Sequence, residues 1–133
     1  MALFMLDTNM CIYLMKNQPM QVAKRFAQCY VGDVVMSAIT YAELEHGVSV
    51  SNNSTRERHN LASLIDDITV VPSDVQASKA YGLIRHATGD RKKDQRDKPI
   101  AAHAVSLKVT LVTDNERDFV SYPGPAIENW ITE

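Results

Sequence analysis

Apolar and polar positions along this chain follow two alternating periods, one that suits short buried strands and one that suits helices. Ala2-Leu3-Phe4-Met5-Leu6 is uninterrupted apolar, as a strand covered on both faces must be. From Asp7 to Lys16 the spacing turns helical, with Asp7 or Thr8 near the cap and Asn17-Gln18-Pro19 as the stop. A second helix is predicted from Met20 to Gln28, with Val22, Ala23, Phe26 and Ala27 on one face. Gly32-Asp33 leads into a strand at 34–36, and Thr40 is expected to start the next helix. Residues 49–55 read as a polar loop, followed by a helix carrying Leu61, Leu64, Ile65 and Ile68 at helical spacing. Thr69-Val70-Val71 is a third strand, and Pro72-Ser73-Asp74 caps a helix to about Ala87. The stretch from Thr88 to Arg96 is the most polar in the chain and reads as a loop. A helix from Asp97 to about Leu107 then precedes a strand at 110–113.

Strands that alternate with helices predict an α/β fold. The expected form is a three-layer domain over residues 1–133, with a mainly parallel central sheet of four to five short strands and helices on both faces. No repeat, linker or domain break interrupts the pattern. With 133 residues, 45% of them hydrophobic, the chain is large enough for one domain with a sizeable core. No apolar run approaches the roughly 20 residues that span a bilayer, and the start of the chain lacks the pattern of a secretory signal. Cys11 and Cys29 have no disulfide or metal spacing and are expected to be buried reduced thiols. These features together point to a cytoplasmic protein.

The net charge of −2 neither favours nor excludes nucleic acid, because an acidic pocket masks basic patches elsewhere. Distribution says more. Arg91, Lys92, Lys93, Arg96 and Lys98 crowd around Asp97, a natural grip for a phosphate backbone if the acid marks a site, and a solvated loop if it does not.

The candidate chemistry lies in carboxylates. Asp7 follows the first strand, Glu43 comes shortly after the second, Asp97 opens a helix, and Asp114 and Asp118 follow the strand at 110–113. In a parallel sheet, strand C-termini and helix N-termini share one edge, so acids far apart in sequence converge there. Each acid also has a purely structural reading. Asp7 suits an N-cap, Thr40 to Glu43 matches a capping box, Asp97 before Lys98-Pro99 resembles an N-cap, and Asp114 or Asp118 suits a short last helix. Capping explains any one of them but not an acid at the same edge of nearly every unit. Carboxylates gathered at one edge repel unless cations hold them, and hard oxygen donors suit Mg²⁺ or Mn²⁺. Ile100, Ala101 and Ala104 share the Asp97 face, and the alanines let that helix approach the sheet closely. His103 lies about 240° around the helix from Asp97 and is read as structural. His46, next to Glu45, is a lone histidine and is read as a packing or surface residue.

At these residues the chain resembles a PIN domain, specifically the VapC-type toxin ribonucleases of bacterial toxin–antitoxin pairs. The matching segments are Met5-Leu6-Asp7-Thr8-Asn9, Ser37 to Gly47, Asp97 to Ala104 and Leu111 to Phe119. They stand in the right order and span essentially the whole chain. The resemblance implies a PIN-like fold and an Mg²⁺ or Mn²⁺ site made by Asp7, Glu43, Asp97 and a carboxylate of the last segment. It also implies RNA cleavage, silencing by a small cognate VapB-type antitoxin, and homodimers that join it in a larger hetero-oligomer. This sequence flavour is similar to toxins that cut initiator tRNA in its anticodon stem-loop. Two departures mark this chain: the basic run before Asp97, where the family often has Gly-Pro or Ile-Gly, and Pro99 where it usually has an apolar residue.

On this reading Asp7 and Asp97 bind metal directly, Asp118 binds directly or through water, and Asp114 contributes through water. Glu43 holds or deprotonates the attacking water. Thr8, Asn9, Thr113 and Asn115 are candidates to orient carboxylates or water. Arg91, Lys92, Lys93, Arg96 and Lys98 would grip the RNA backbone. The competing reading is a catalytically silent PIN-fold binding module, against which stands the presence of all four acids. A receiver-like domain lacks the required acid after the third strand, which ends at Val71-Pro72-Ser73. A haloacid-dehalogenase-like phosphatase needs an acid where Asn9 stands.

Overall fold

A computed structural model of the chain describes residues 2–89 and 95–132. The strands are short: β1 (Phe4–Leu6), β2 (Val34–Ser37), β3 (Thr69–Val71), β4 (Thr110–Val112) and β5 (Ile127–Glu128). All pair in parallel, in the order β3-β2-β1-β4-β5. The helices are α1 (Thr8–Lys16), α2 (Met20–Ala27), α3 (Ala38–Val50), α4 (Ser54–Asp67), α5 (Val75–Thr88), α6 (Asp97–Leu107) and α7 (Glu116–Phe119).

Alternate side chains of a strand point to opposite faces, so apolar residues at every position build two cores. Leu6, Val34, Met36 and Val112 pack with Met10, Val22, Leu44, Val48 and Leu61 from α1 to α4. Met5, Val35 and Leu111 pack with Ile84, Ile100, Ala101, Ala104 and Phe119 from α5 to α7. The expected three-layer α/β architecture is the observed one. Ala101, Ala102 and Ala104 are completely buried, so α6 lies close against the sheet.

Several local expectations are revised. The helix expected from Thr40 begins at Ala38, because Ser37 caps it by accepting the Ile39 N–H at 3.1 Å. Thr40 is thus a buried residue inside the helix, and no Thr40–Glu43 capping box forms. Asp97 is the first residue of α6 rather than its N-cap, a place taken by Arg96. The helix α3 runs on to Val50, so the polar loop is shorter than predicted. Cys11 is buried and free, but Cys29 is only half-buried and lies 3.8 Å from an Arg25 nitrogen. His103 is completely buried, with Nδ1 2.9 Å from Ser37 Oγ, so it ties α6 to the end of β2.

The C-terminal segment carries no clear period, yet it completes the sheet. Trp130 is 1% exposed and meets Phe4 edge-on at 5.5 Å. The Arg25 guanidinium lies 5.2 Å from both ring centroids and pairs with Glu128 at 3.3 Å, which ties β5 to β1 and α2.

Candidate metal centre

Strand order reverses between the parallel neighbours β1 and β4, because the chain after β1 crosses to β2 on one side and the chain after β4 crosses to β5 on the other. A crevice at such a point, outside the strand C-termini, is where parallel α/β sheets bind ligands. Leu6 pairs with Val112, so the next residues, Asp7 and Thr113, emerge side by side. The Asp7 backbone N–H donates to the Val112 carbonyl at 3.1 Å.

Asp7 does two things at once. Its Oδ1 accepts the Met10 N–H at 2.9 Å and caps α1, so the capping role holds. It is also only 6% exposed and held among other acids. Burial raises its pKa from the ordinary 3.8 to about 6; hydrogen bonds from Thr113 and Met10 oppose the rise, while Asp114 and Asp97 add to it. The carboxylates of β1, α6 and the β4 exit therefore act on one another, as convergence on one edge requires.

Thr113 is completely buried and links two parts of the site. Its Oγ1 accepts the Asn115 N–H at 2.9 Å, which turns the chain after β4, and its hydroxyl bonds Asp7. Asp114 follows. Its Oδ2 accepts a 2.6 Å hydrogen bond from the Tyr13 hydroxyl, whereas Oδ1 is buried with no partner among the described residues. That bond pushes the Tyr13 phenol up to about 12, so it is protonated and donates at neutral pH.

Glu43, on α3, stands at the rim. Its Oε2 pairs with Arg96 at 3.1 Å, which joins α3 to the start of α6 and brings the fourth expected acid to this edge. Asp118 is half-buried within α7, and the acids that act on Asp7 are Asp114 and Asp97. The two late acids do not share one helical turn, because α7 starts only at Glu116.

Two expected RNA-binding residues have other roles. Lys98 is corrected: it is 3% exposed and donates to the Gly89 carbonyl, so its ammonium braces the end of α5 instead of facing solvent. Arg96 is exposed but engaged by Glu43. Arg91, Lys92 and Lys93 lie outside the described residues. Among the proposed orienting groups, Thr113 reaches an acid, Thr8 is half-buried, and Asn9 and Asn115 are exposed. His46 is exposed, as a surface residue.

Among the described residues, no three His, Cys, Asp or Glu side chains are already closed into a ligand set. The donor chemistry nonetheless fits a hard divalent cation. Asp114 Oδ1 is a buried carboxylate oxygen without a partner among the described residues, and the charge on Asp7 is destabilised by burial and, to a lesser degree, by Asp114 and Asp97. A cation between them would remove both costs. Sequence reasoning missed Tyr13, which reads as an apolar-face helix residue. Its partner lies 101 residues away, and no local pattern signals such a contact.

The PIN domain family matches residues 4–125 of the chain. The tRNA(fMet)-specific endonuclease VapC of Shigella flexneri is 35% identical over 132 residues, covering 98% of this chain and 99% of that protein. Ribonuclease VapC1 of Haemophilus influenzae (strain R2866) is 35% identical over 131 residues, covering 96% and 98% respectively. The crystal structure of DNA-bound VapBC from Salmonella typhimurium superposes with a TM-score of 0.87 at 35% identity, covering 98% of this chain and 99% of that one.

Proposed function

The chain belongs to the PIN-domain family, among its VapC-type members, and from that premise we propose that it is a divalent-metal-dependent endoribonuclease, the toxin of a toxin–antitoxin pair. The observation that carries this reading is the buried Asp7, on which the charges of Asp114 and Asp97 act at the point where strand order reverses, beside an Asp114 oxygen that is buried with no partner among the described residues. Its relatives' names point to RNA as substrate, and the Shigella flexneri protein's name points to initiator tRNA.

Asp7, Asp97 and Asp114 are the residues that would hold Mg²⁺ or Mn²⁺, with Asp118 reaching it through water. Such an ion, when bound, lowers the pKa of water, neutralises charge on the phosphoryl group and stabilises the leaving oxygen. Glu43 at the rim holds or deprotonates the attacking water. Thr113 fixes the Asp7 carboxylate, and α6 carries Asp97 in its first turn, at the positive end of the helix. The basic residues before Asp97 grip the RNA backbone, while tRNA shape and unpaired bases supply selectivity.

The cognate antitoxin is assigned to an apolar groove lined by Ile12, Met15, Leu44 and Val48, which opens beside Glu43. A basic side chain of that partner, an arginine above all, engages the acids and blocks the site. A homodimer that joins the antitoxin in a larger assembly completes the proposal. Among the described residues no helix is long and apolar enough to cross a membrane, and the cytoplasm is the proposed compartment.

Incubating the purified protein with total tRNA and Mg²⁺ or Mn²⁺ should yield discrete fragments of initiator tRNA, and EDTA should abolish them. Asp7→Asn should reduce cleavage at least 10²-fold, on the order of 3 kcal/mol in the barrier. Cleavage that persists in EDTA, or in a folded Asp7→Asn protein, overturns the metal-dependent reading.

A further inference from the structure

The hydrogen bond between Tyr13 and Asp114 joins α1 to the turn after β4 and is made by the one atom that distinguishes tyrosine from phenylalanine. The Tyr13 ring packs at the edge of the core on the α1 side of the sheet, alongside Ile12, Leu14 and Met15. Its hydroxyl leaves that apolar setting and reaches the turn after β4, donating to Asp114 Oδ2 at 2.6 Å. The same carboxylate keeps Oδ1 buried with no partner among the described residues, and its charge acts on Asp7. One oxygen of Asp114 is thus fixed by a neutral donor while the other is withheld from solvent.

We infer that Tyr13 is a positioning residue for the metal centre: its hydroxyl locks the Asp114 carboxylate so that Oδ1 is presented as a cation ligand alongside Asp7. This rests on the metal-dependent reading above. The choice of donor matters chemically. A lysine or arginine at this place would neutralise Asp114 and weaken its pull on a cation. A phenol donates one hydrogen bond, carries no positive charge and leaves the full negative charge on the carboxylate. It also removes the rotamer freedom of a short acidic side chain on a turn, which would otherwise have to be lost when the ion binds. Partners of this kind, bonded to the outer oxygen of a ligating carboxylate, typically alter metal affinity by 10- to 100-fold.

Mn²⁺ affinity of the purified protein, measured by electron paramagnetic resonance without RNA, tests this directly. Tyr13→Phe keeps the ring and deletes only the hydroxyl, so the fold is retained and a metal-free melting curve checks it. Wild type should bind Mn²⁺, and Tyr13→Phe should bind it about tenfold more weakly. Because Tyr13 acts through Asp114, the same substitution should have no further effect in an Asp114→Asn background and its full effect in an Asp118→Asn background. Equal Mn²⁺ affinity in wild type and Tyr13→Phe overturns the inference while leaving the metal-dependent reading intact. So does a melting-temperature loss with unchanged affinity, which would make the bond a brace between α1 and the β4 turn. An equal effect in the Asp114→Asn background also overturns it. Absence of Mn²⁺ binding by wild type overturns both readings.

Discussion

Asp7→Asn should make the metal-free protein more stable at neutral pH even as it removes its activity. Asp7 is buried beside Asp97 and Asp114, and its pKa in the fold is about 6 against an ordinary 3.8. The folded state therefore holds the proton more tightly than the unfolded chain. For a group whose pKa is raised on folding, the stabilising contribution is complete below the unfolded value and is lost as pH rises through the folded one. At pH 7.5 the ionised carboxylate thus costs the fold, relative to its protonated form, roughly 3 kcal/mol at about 1.4 kcal/mol per pH unit. Asparagine is neutral, has nearly the same shape and caps helices as well as aspartate, so Oδ1 can still accept the Met10 N–H. Allowing for an imperfect bond to Thr113, a net gain of about 2 kcal/mol is expected, which for a chain of this length is roughly 7 °C in melting temperature. Urea and thermal unfolding of both proteins in EDTA at pH 7.5 and pH 4.5 measure it. The variant should be the more stable at pH 7.5, and most of the difference should vanish at pH 4.5. Saturating Mg²⁺ should then stabilise wild type alone, because only its ionised carboxylate gains a counter-charge. If Asp7→Asn were the less stable protein at pH 7.5, or if the difference were the same at both pH values, the electrostatic account of the site would be refuted.

Ala101→Leu, at a completely buried position where α6 meets the sheet, should cost about 1–3 kcal/mol and impair cleavage by displacing Asp97, as read by unfolding and by tRNA cleavage on the same sample. Lys98→Met should lower stability by about 1–3 kcal/mol, since it leaves the Gly89 carbonyl without its donor, yet leave the salt dependence of RNA binding unchanged. Neutralising Lys92 and Lys93 together should do the reverse and flatten the slope of log K against log salt; a flattened slope in Lys98→Met would contradict its burial. Glu43→Gln should cut cleavage at least 10²-fold while changing stability by less than about 0.5 kcal/mol, because its ion pair with Arg96 is largely solvent-exposed.

Much of the fold is written in local patterns. Apolar runs at residues 4–6, 34–36, 70–71 and 111–112 announce short strands, and helical spacing between them forces parallel crossovers. An acid at the exit of β1 and of β4 follows from that periodicity, because strand ends and helix starts are local features. The alanines of α6 likewise signal close approach to the sheet by their small size and shared face alone. What the local pattern leaves open is settled by contacts between distant segments. The segment with Trp130 has too few residues to show a period, and it becomes β5 because Phe4 and Arg25 offer its indole a place. Ser37 rather than Thr40 starts α3, because β2 runs directly into the helix and leaves Ser37 as the residue whose hydroxyl reaches the first free N–H. Lys98 reads as one more cation in a basic run, but α6 turns it inward and the Gly89 carbonyl meets it there. The surroundings of Asp114 have the same origin. Sequence places Asp114 and Asp118 near one strand end, but the bond from Tyr13, 101 residues away, and the turn held by Thr113 arise only in the packed fold. Periodicity determines which residues face inward on each element, whereas side chains that meet across the sheet depend on how those elements pack, and that information is absent from any single stretch of chain.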